Sequence, residues 1–190
     1  MKRLLASAAL AFSLATPVLA AEPWTIDESH TAITFSVNHF GYSTVHGFFR
    51  AFDGKLQLDP KAPADSSVEF TIDAASLDTL WAKRDEHIKS ADFLDVAKYP
   101  TITFKSTKVE PMGADAAKVV GDLTIKGVTR PVELDVKLNK LEPSPVTKAE
   151  TAGFTATTVF KRSDFGVTTF VPAVGDDLTV RIDSEASPAG

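Results

Sequence analysis

The alternation of apolar and polar residues along the chain predicts a protein built from β-strands. The clearest run covers positions 132–138, where Val132, Leu134, Val136 and Leu138 share one parity and polar residues fill the other. Side chains of a strand point to opposite faces in turn, so a period of two is typical of a half-buried strand. Further runs of this kind lie at 33–37, 68–72, 102–104, 119–125, 154–160 and 178–182.

Turn signals between these runs indicate about eight strands in an all-β domain. Asp53-Gly54 and Lys126-Gly127 are typical of hairpins, and the segment 141–150 with its two prolines is expected to form an exposed loop. Such a pattern favours an antiparallel barrel or a sandwich. The alternation leaves this choice open, because both architectures need the same apolar inner face. Only a barrel of about eight strands could hold a small ligand.

Phenylalanine is abundant on the apolar parity of the predicted strands. An aromatic core would explain this pattern, since large apolar side chains are usually buried. An apolar cavity lined by rings would explain it equally well. The residues concerned are Phe35, Phe48, Phe52, Phe70, Phe104, Phe154 and Phe160.

The segment 79–106 interrupts the strand pattern with charges at helical spacing. It predicts a short helix from Leu80, capped by Asp78 or Thr79. Tyr99-Pro100 then favours an extended backbone that leads into the next strand.

The first residues predict an export signal. Lys2 and Arg3 precede an apolar stretch from Leu4 to Leu14, and small residues lead up to Ala20. This order is typical of a cleaved signal peptide. We expect a signal peptide at 1–20 and a single domain at 21–190 in the periplasm, with no stable membrane insertion after cleavage. The alternative is an uncleaved anchor, since the stretch approaches the ~20 residues that span a bilayer.

Composition excludes several classes of protein. The chain has no cysteine, so it carries neither a disulfide nor the acylated cysteine of a lipoprotein. Its net charge is −5, and basic residues are scattered among acids, as at 83–86. Nucleic-acid affinity depends on clustered Lys and Arg, so a nucleic-acid partner is not expected.

The polar residues of the charged segment suggest chemistry only weakly. Arg84, Asp85 and His87 supply too few ligands for a metal site, and the chain lacks a Gly-x-Ser-x-Gly nucleophile motif. We therefore expect no catalytic centre, metal or cofactor. The favoured interpretation is that Arg84 and Asp85 pin the helix to the barrel through ion pairs and backbone bonds. Arg84 and His87 could alternatively contact the polar head of a ligand.

Several motifs, in order along the chain, resemble those of the YceI-like family of secreted, lipocalin-like polyisoprenoid-binding proteins. The most specific is RDEHIKSADFLD at 84–95, followed by Tyr99-Pro100. The others are HTAITFSVNHFG at 30–41, Gly47-Phe48-Phe49, Phe52-Asp53-Gly54, Ser76–Thr79 and GDLTIKGVTRPV at 121–132. Together they cover roughly 24–184. Leu80 and Trp81 depart from the family, which often has small or polar residues there.

The resemblance implies an extended antiparallel barrel of about eight strands with a short helix at its mouth. It also implies a hollow interior that holds a long isoprenoid, quinone-like or fatty chain, and no established catalytic centre. The leading hypothesis is a periplasmic protein that sequesters or transports such a lipid, as a monomer or homodimer. The alternatives are an enzyme acting on a barrel-bound lipid with His87 or His39 as base, and a ligand-free stress-related interaction protein.

The ligand-binding residues predicted on these grounds are inward-facing strand residues and side chains near the helix. They are Phe35, Val37, His39, Phe48, Phe52, Phe70, Ile72, Trp81, Arg84, His87, Phe93, Ile102, Phe104, Leu123, Phe154 and Phe160.

Overall fold

The structure, a computed structural model, describes residues 21–190. The predicted signal peptide at 1–20 lies outside the described residues and stays a prediction. The strands are β1 (Glu22–His39), β2 (Ser43–Phe49), β3 (Phe52–Leu58), β4 (Ser67–Asp73), β5 (Leu77–Asp78), β6 (Thr101–Pro111), β7 (Ala116–Ile125), β8 (Val128–Pro143), β9 (Glu150–Lys161) and β10 (Val174–Pro188). One α-helix, α1 (Ala82–Lys89), and 3-10 turns at Pro63–Asp65, Ala74–Ser76 and Arg162–Phe165 complete the described elements.

The strands form one closed antiparallel barrel. Neighbouring strands pair in chain order, and β10 returns to pair with β1. Strands β2 and β3 lie one after the other along the same side of β1, interrupted at 50–51. Strand β5 continues β4 in the same way. The ring therefore has eight positions, which confirms the predicted barrel and rules out a sandwich.

A large bulge in β1 resets the side-chain parity of the first strand. Asp27 pairs with Glu185 and Ala32 with Asp183, so the segment 28–31 bulges outward opposite a single residue of β10. Trp24 is buried before the bulge and Ile33 after it. This change from even to odd positions is the expected effect of extra residues in one strand.

The turn predictions are partly confirmed. Lys126-Gly127 forms the predicted turn between β7 and β8, with φ of 50° and 74°, as a tight hairpin requires. The prediction of a hairpin at Asp53-Gly54 is wrong, since both residues lie within β3. The exposed loop expected at 141–150 is shorter, because β8 continues to Pro143 and β9 begins at Glu150.

The short helix predicted after Leu80 is present as α1, but its predicted cap is wrong. Trp81 occupies the N-cap position, and its side chain makes no capping bond. The carboxylate of Asp78 instead accepts a hydrogen bond from the Leu80 amide at 2.7 Å. Within residues 21–190, no helix is long and apolar enough to cross a membrane.

Candidate functional site

A cavity of about 470 Å³ runs along the inside of the barrel. Its wall is formed by apolar side chains that the alternation placed on one face, including Val119, Leu134 and Val180. The lining extends from Phe170 at the end where α1 lies, the helix end, to Gly113 at the opposite end. Small-molecule sites typically measure ~300–1,000 Å³ and are mostly apolar. This barrel is therefore hollow and suited to an apolar ligand.

Cross-strand contacts between phenylalanine and glycine keep large rings against the wall. Gly47 on β2 lies directly opposite Phe35 on β1, and a Cβ added at Gly47 would lie 2.3 Å from the Phe35 Cζ. Gly54 on β3 lies opposite Phe70 on β4, and an added Cβ there would meet the Phe70 ring at 2.9 Å. Each ring thus covers a glycine backbone, a known means of stabilising glycine in a strand.

A similar contact recurs on the neighbouring strands β6 and β7. A Cβ at Gly121 would lie 2.4 Å from the Cζ of Phe104 and 2.6 Å from the carbonyl oxygen of Lys105. Rings that fold onto glycines occupy the space that side chains would otherwise fill at the wall. An aromatic inner face and an open cavity therefore coexist, which resolves the two interpretations of the phenylalanine pattern.

Ionisable groups border the cavity at its ends. Arg84, His87, His39 and Arg162 lie at the helix end, whereas Asp115 lies at the opposite end, in the loop between β6 and β7. Between these ends the wall is almost entirely apolar. A long apolar molecule would therefore meet basic groups at one end only.

Arg162 is a buried cation that sequence reasoning missed. It begins the 3-10 turn after β9 and is 6% exposed. Its guanidinium donates four hydrogen bonds to backbone carbonyl oxygens, so the loop before β10 is built around it. Burial lowers the pKa of Arg162, and the charge of Asp176 opposes that shift. The acceptors, at 2.9 to 3.0 Å, are the carbonyls of Gly175, Val167, Thr169 and Val174.

Arg84 and Asp85 anchor α1 to the barrel through one buried residue, Thr79. Arg84 donates to the Thr79 hydroxyl at 2.7 Å and to its carbonyl at 2.6 Å. The Asp85 carboxylate accepts from the Thr79 amide at 2.8 Å. The predicted anchoring role thus rests on hydrogen bonds to Thr79, which is 3% exposed.

An aromatic group beside α1 covers part of the helix end. Phe93 and Phe170 each pack against the His87 ring, with centroid distances of 5.0 Å and 6.2 Å. The Thr169 hydroxyl donates to the Asp92 carbonyl at 2.5 Å. This bond joins the loop before β10 to the turn after α1, so the two segments form one rim.

Most of the predicted ligand-binding residues border the cavity, although ligand contact itself stays a prediction. Phe48, Phe52 and Trp81 do not border it. The bordering residues are Phe35, Val37, His39, Phe70, Ile72, Arg84, His87, Phe93, Ile102, Phe104, Leu123, Phe154 and Phe160.

The placement of Phe48 on the inner face is wrong. Gly47 faces inward opposite Phe35, so the next side chain, Phe48, points outward and stacks 4.7 Å from the Arg50 guanidinium. Phe49 lines the cavity instead. Because Phe48 and Phe49 are adjacent, the sequence does not show which of the two rings faces inward.

Phe52 and Trp81 do not border the cavity, for different reasons. Phe52 lies opposite Ile72 on the inner parity, but it packs against Phe70, with centroids 5.8 Å apart, and does not reach the cavity. Trp81 is 61% exposed at the N-cap of α1 and is not among the residues that line the cavity.

A second polar group lies outside the cavity, at the β1 bulge. One carboxylate oxygen each of Asp27 and Glu185 and one ring nitrogen of His30 lie within 4.8 Å of one another, and all three residues are exposed. Hydrogen bonds from Ser29 and His30 lower the pKa of Asp27 to about 2. The hydrogen bond with Asp27 raises the pKa of His30 above 6.5. Asp27 and Glu185 therefore both favour the protonated imidazole of His30.

Comparisons with known proteins give a consistent family assignment. The model of the YceI-like domain matches residues 24–186. A UPF0312 protein of Vibrio cholerae is 42% identical over 170 residues, which cover 88% of this chain and 89% of that protein. The crystal structure of Burkholderia cenocepacia BcnA superposes with a TM-score of 0.78 at 26% identity, covering 86% of this chain and all of that one.

A more distant structure has the same fold. It is a domain from Saccharophagus degradans, described as polyisoprenoid-binding and implicated in plant cell wall breakdown. The TM-score is 0.66 at 12% identity, and the match covers 87% of this chain and 98% of that domain.

Proposed function

This chain belongs to the YceI-like domain family, and we propose that it binds a long-chain apolar lipid inside its barrel. The observation that carries the proposal is the apolar cavity of about 470 Å³, which is bordered by basic groups at the helix end. A protein that needed only a stable core would fill this space, because interiors normally pack at the density of organic crystals.

The free energy for such binding comes from removing hydrocarbon from water. Each methylene transferred into an apolar cavity contributes about 0.8 kcal/mol. The inner face of β7 from Ala117 to Ile125 borders the cavity over most of the strand. At ~3.3 Å per residue and a tilt of ~40°, this corresponds to roughly 20 Å along the barrel axis. An extended chain would fit this shape better than a compact ligand.

A polyisoprenoid is the first candidate ligand. The similarity to the polyisoprenoid-binding domain from Saccharophagus degradans supports this choice, and quinone-like or fatty chains share the same apolar chemistry. We propose that the polar head lies at the helix end, near Arg84 and His87. The guanidinium of Arg84 and the imidazole of His87 can donate hydrogen bonds, which favours a head with acceptor oxygens.

We further propose that the protein acts as a carrier or store in the periplasm and not as an enzyme. The amino-terminal sequence supports export. The apolar cavity supports the carrier role, because apolar contacts would hold the chain without requiring a reactive group.

Uptake of defined lipids in solution tests the proposal. The mature protein would be mixed with prenols of increasing chain length and examined by native mass spectrometry. We expect one lipid per protein, with affinity that rises with chain length until the cavity is full. Equal binding of short and long prenols, or no adduct at any length, would contradict the proposal.

A further inference from the structure

Exposed apolar side chains are concentrated at the helix end of the barrel. They lie on the connections between β1 and β2, between β5 and α1, and between β9 and β10, which adjoin one another around the ring. We call them the apolar rim. Its members, with their exposed fractions, are Phe40 (47%), Tyr42 (91%), Leu80 (78%), Trp81 (61%) and Phe170 (55%).

The apolar rim is continuous with the cavity. Phe170 borders the cavity and is more than half exposed. The Phe40 ring packs edge-on against His39, with centroids 4.5 Å apart, and His39 also borders the cavity. An apolar chain could therefore move from the rim into the barrel while remaining in contact with aromatic rings.

The backbone at the rim is held in an unfavourable conformation. Phe40, Leu80 and Phe170 have φ of 55°, 65° and 63°. This left-handed region suits glycine and asparagine and disfavours other residues. Among the described residues, every positive φ that falls on an apolar side chain belongs to the rim. The fold thus loses stability in order to present these side chains outward.

Charge does not explain what the rim binds. Asp78 beside Leu80 is paired with Arg50, and α1 carries both acidic and basic residues. The opposite end of the barrel has fewer exposed apolar residues, Met112 and Val146 on its loops. Trp and Tyr favour the boundary between lipid headgroups and hydrocarbon, and a bilayer is the source of long-chain lipids. A second copy of the chain would cover the cavity end that cargo has to pass.

We propose that the apolar rim inserts into the headgroup region of a lipid bilayer and holds the helix end of the cavity against it. This inference rests on the proposed lipid-binding function. Lipid would then pass between bilayer and barrel without exposing its chain to water. Because insertion is driven by apolar contact, binding should persist at high salt.

Co-sedimentation of the mature protein with phosphatidylcholine vesicles tests the inference. The rim variant combines Leu80→Asn with Trp81→Ser, and the matched control combines Met112→Ser with Val146→Ser at the opposite end. We expect the rim variant to lose vesicle partitioning by about tenfold or more, since two apolar side chains leave the interface. The control should partition like the unchanged protein.

The Leu80→Asn change separates the rim from general folding defects. Asparagine tolerates the positive φ at position 80, so the melting temperature should stay the same or rise while vesicle binding falls. Uptake of a prenol from solution, measured without vesicles, should be equal in both variants.

The inference is overturned by any of three results. The first is that the rim variant still binds vesicles, and the second is that the control variant loses vesicle binding to the same extent. The third is that the unchanged protein does not bind vesicles. A dimer that depends on Leu80, without vesicle binding, would assign the rim to a second copy instead. Vesicle binding without prenol uptake would contradict the proposed function and leave the rim intact.

Discussion

Replacing Gly47 with alanine should close part of the cavity without unfolding the barrel. The new Cβ would lie 2.3 Å from the Phe35 Cζ and 2.7 Å from its Cε1, distances that real contacts do not allow. The nearest obstacles are side-chain atoms, those of Phe35 and the Thr79 Cγ2 at 2.9 Å. The ring can relieve its own clash by turning away from β2 into the cavity, and the Thr79 methyl has only to shift by a few tenths of an ångström.

The size of the effect follows from the volume that the ring takes up. A phenyl ring in the lumen excludes roughly three methylenes of lipid, at about 0.8 kcal/mol each. The loss of ~2.4 kcal/mol corresponds to an affinity lower by roughly fiftyfold. Folding stability should fall less than this, because overpacking costs ~1–3 kcal/mol only where the side chain has nowhere to go.

Competition against a fluorescent prenol measures the affinity, and urea unfolding measures the stability. Phe35→Leu in the Gly47→Ala background removes the displaced ring, so the double variant should recover most of the lost affinity. Gly153→Ala is the matched control, since the nearest atom to its added Cβ is the Asn139 Cβ at 4.0 Å. It should bind lipid normally.

Two results would refute this reasoning. If Gly47→Ala bound lipid with unchanged affinity, the ring over the glycine would have no part in keeping the lumen open. If Phe35→Leu failed to rescue a weakened Gly47→Ala variant, the loss would come from a distorted strand and not from the displaced ring.

Three further predictions concern Arg162, the Asp27–His30 pair and Phe104. Arg162→Met removes the donor to one buried and three partly buried carbonyls and should lower the free energy of unfolding by about 3 kcal/mol in urea; an unchanged midpoint would contradict this. NMR titration should give His30 a pKa above 6.5. In the Asp27→Asn variant this pKa should fall back toward 6.5. The Asp27–His30 pair stabilises the fold fully between pH 3.8 and 6.5, the ordinary pKa values of the two side chains. This stabilisation is lost as the pH falls through the folded pKa of Asp27 or rises through the folded pKa of His30. Phe104→Asp, which puts an unpaired carboxylate in the lumen, should weaken prenol binding more than Arg84→Ala, and equal affinities in the folded variants would refute it.

The inner face of the barrel could be predicted from sequence because its strands alternate cleanly. On β8, Val132, Leu134, Val136 and Leu138 all line the cavity as their shared parity requires. Prediction failed where parity was ambiguous, at Phe48, because only the pairing with β1 decides which of two consecutive rings points inward.

The open cavity could not be derived from the alternation, since it depends on which residues face each other across strands. Gly54 reads as a turn residue in sequence, yet the register places it beneath Phe70. Arg162 gave no signal either. Its four acceptors lie in the loop that follows it and in the first residues of β10, and carbonyl acceptors carry no side-chain signature. The family motifs indicated a hollow barrel, whereas the residue pattern alone could not exclude a barrel with a packed interior.

Native mass spectrometry of the mature protein, purified from its own cells without detergent, tests the central claim most directly. We expect one long-chain lipid per protein, identified after solvent extraction. A clean mass without adduct, together with no uptake of added prenols, would contradict it and leave the barrel without cargo.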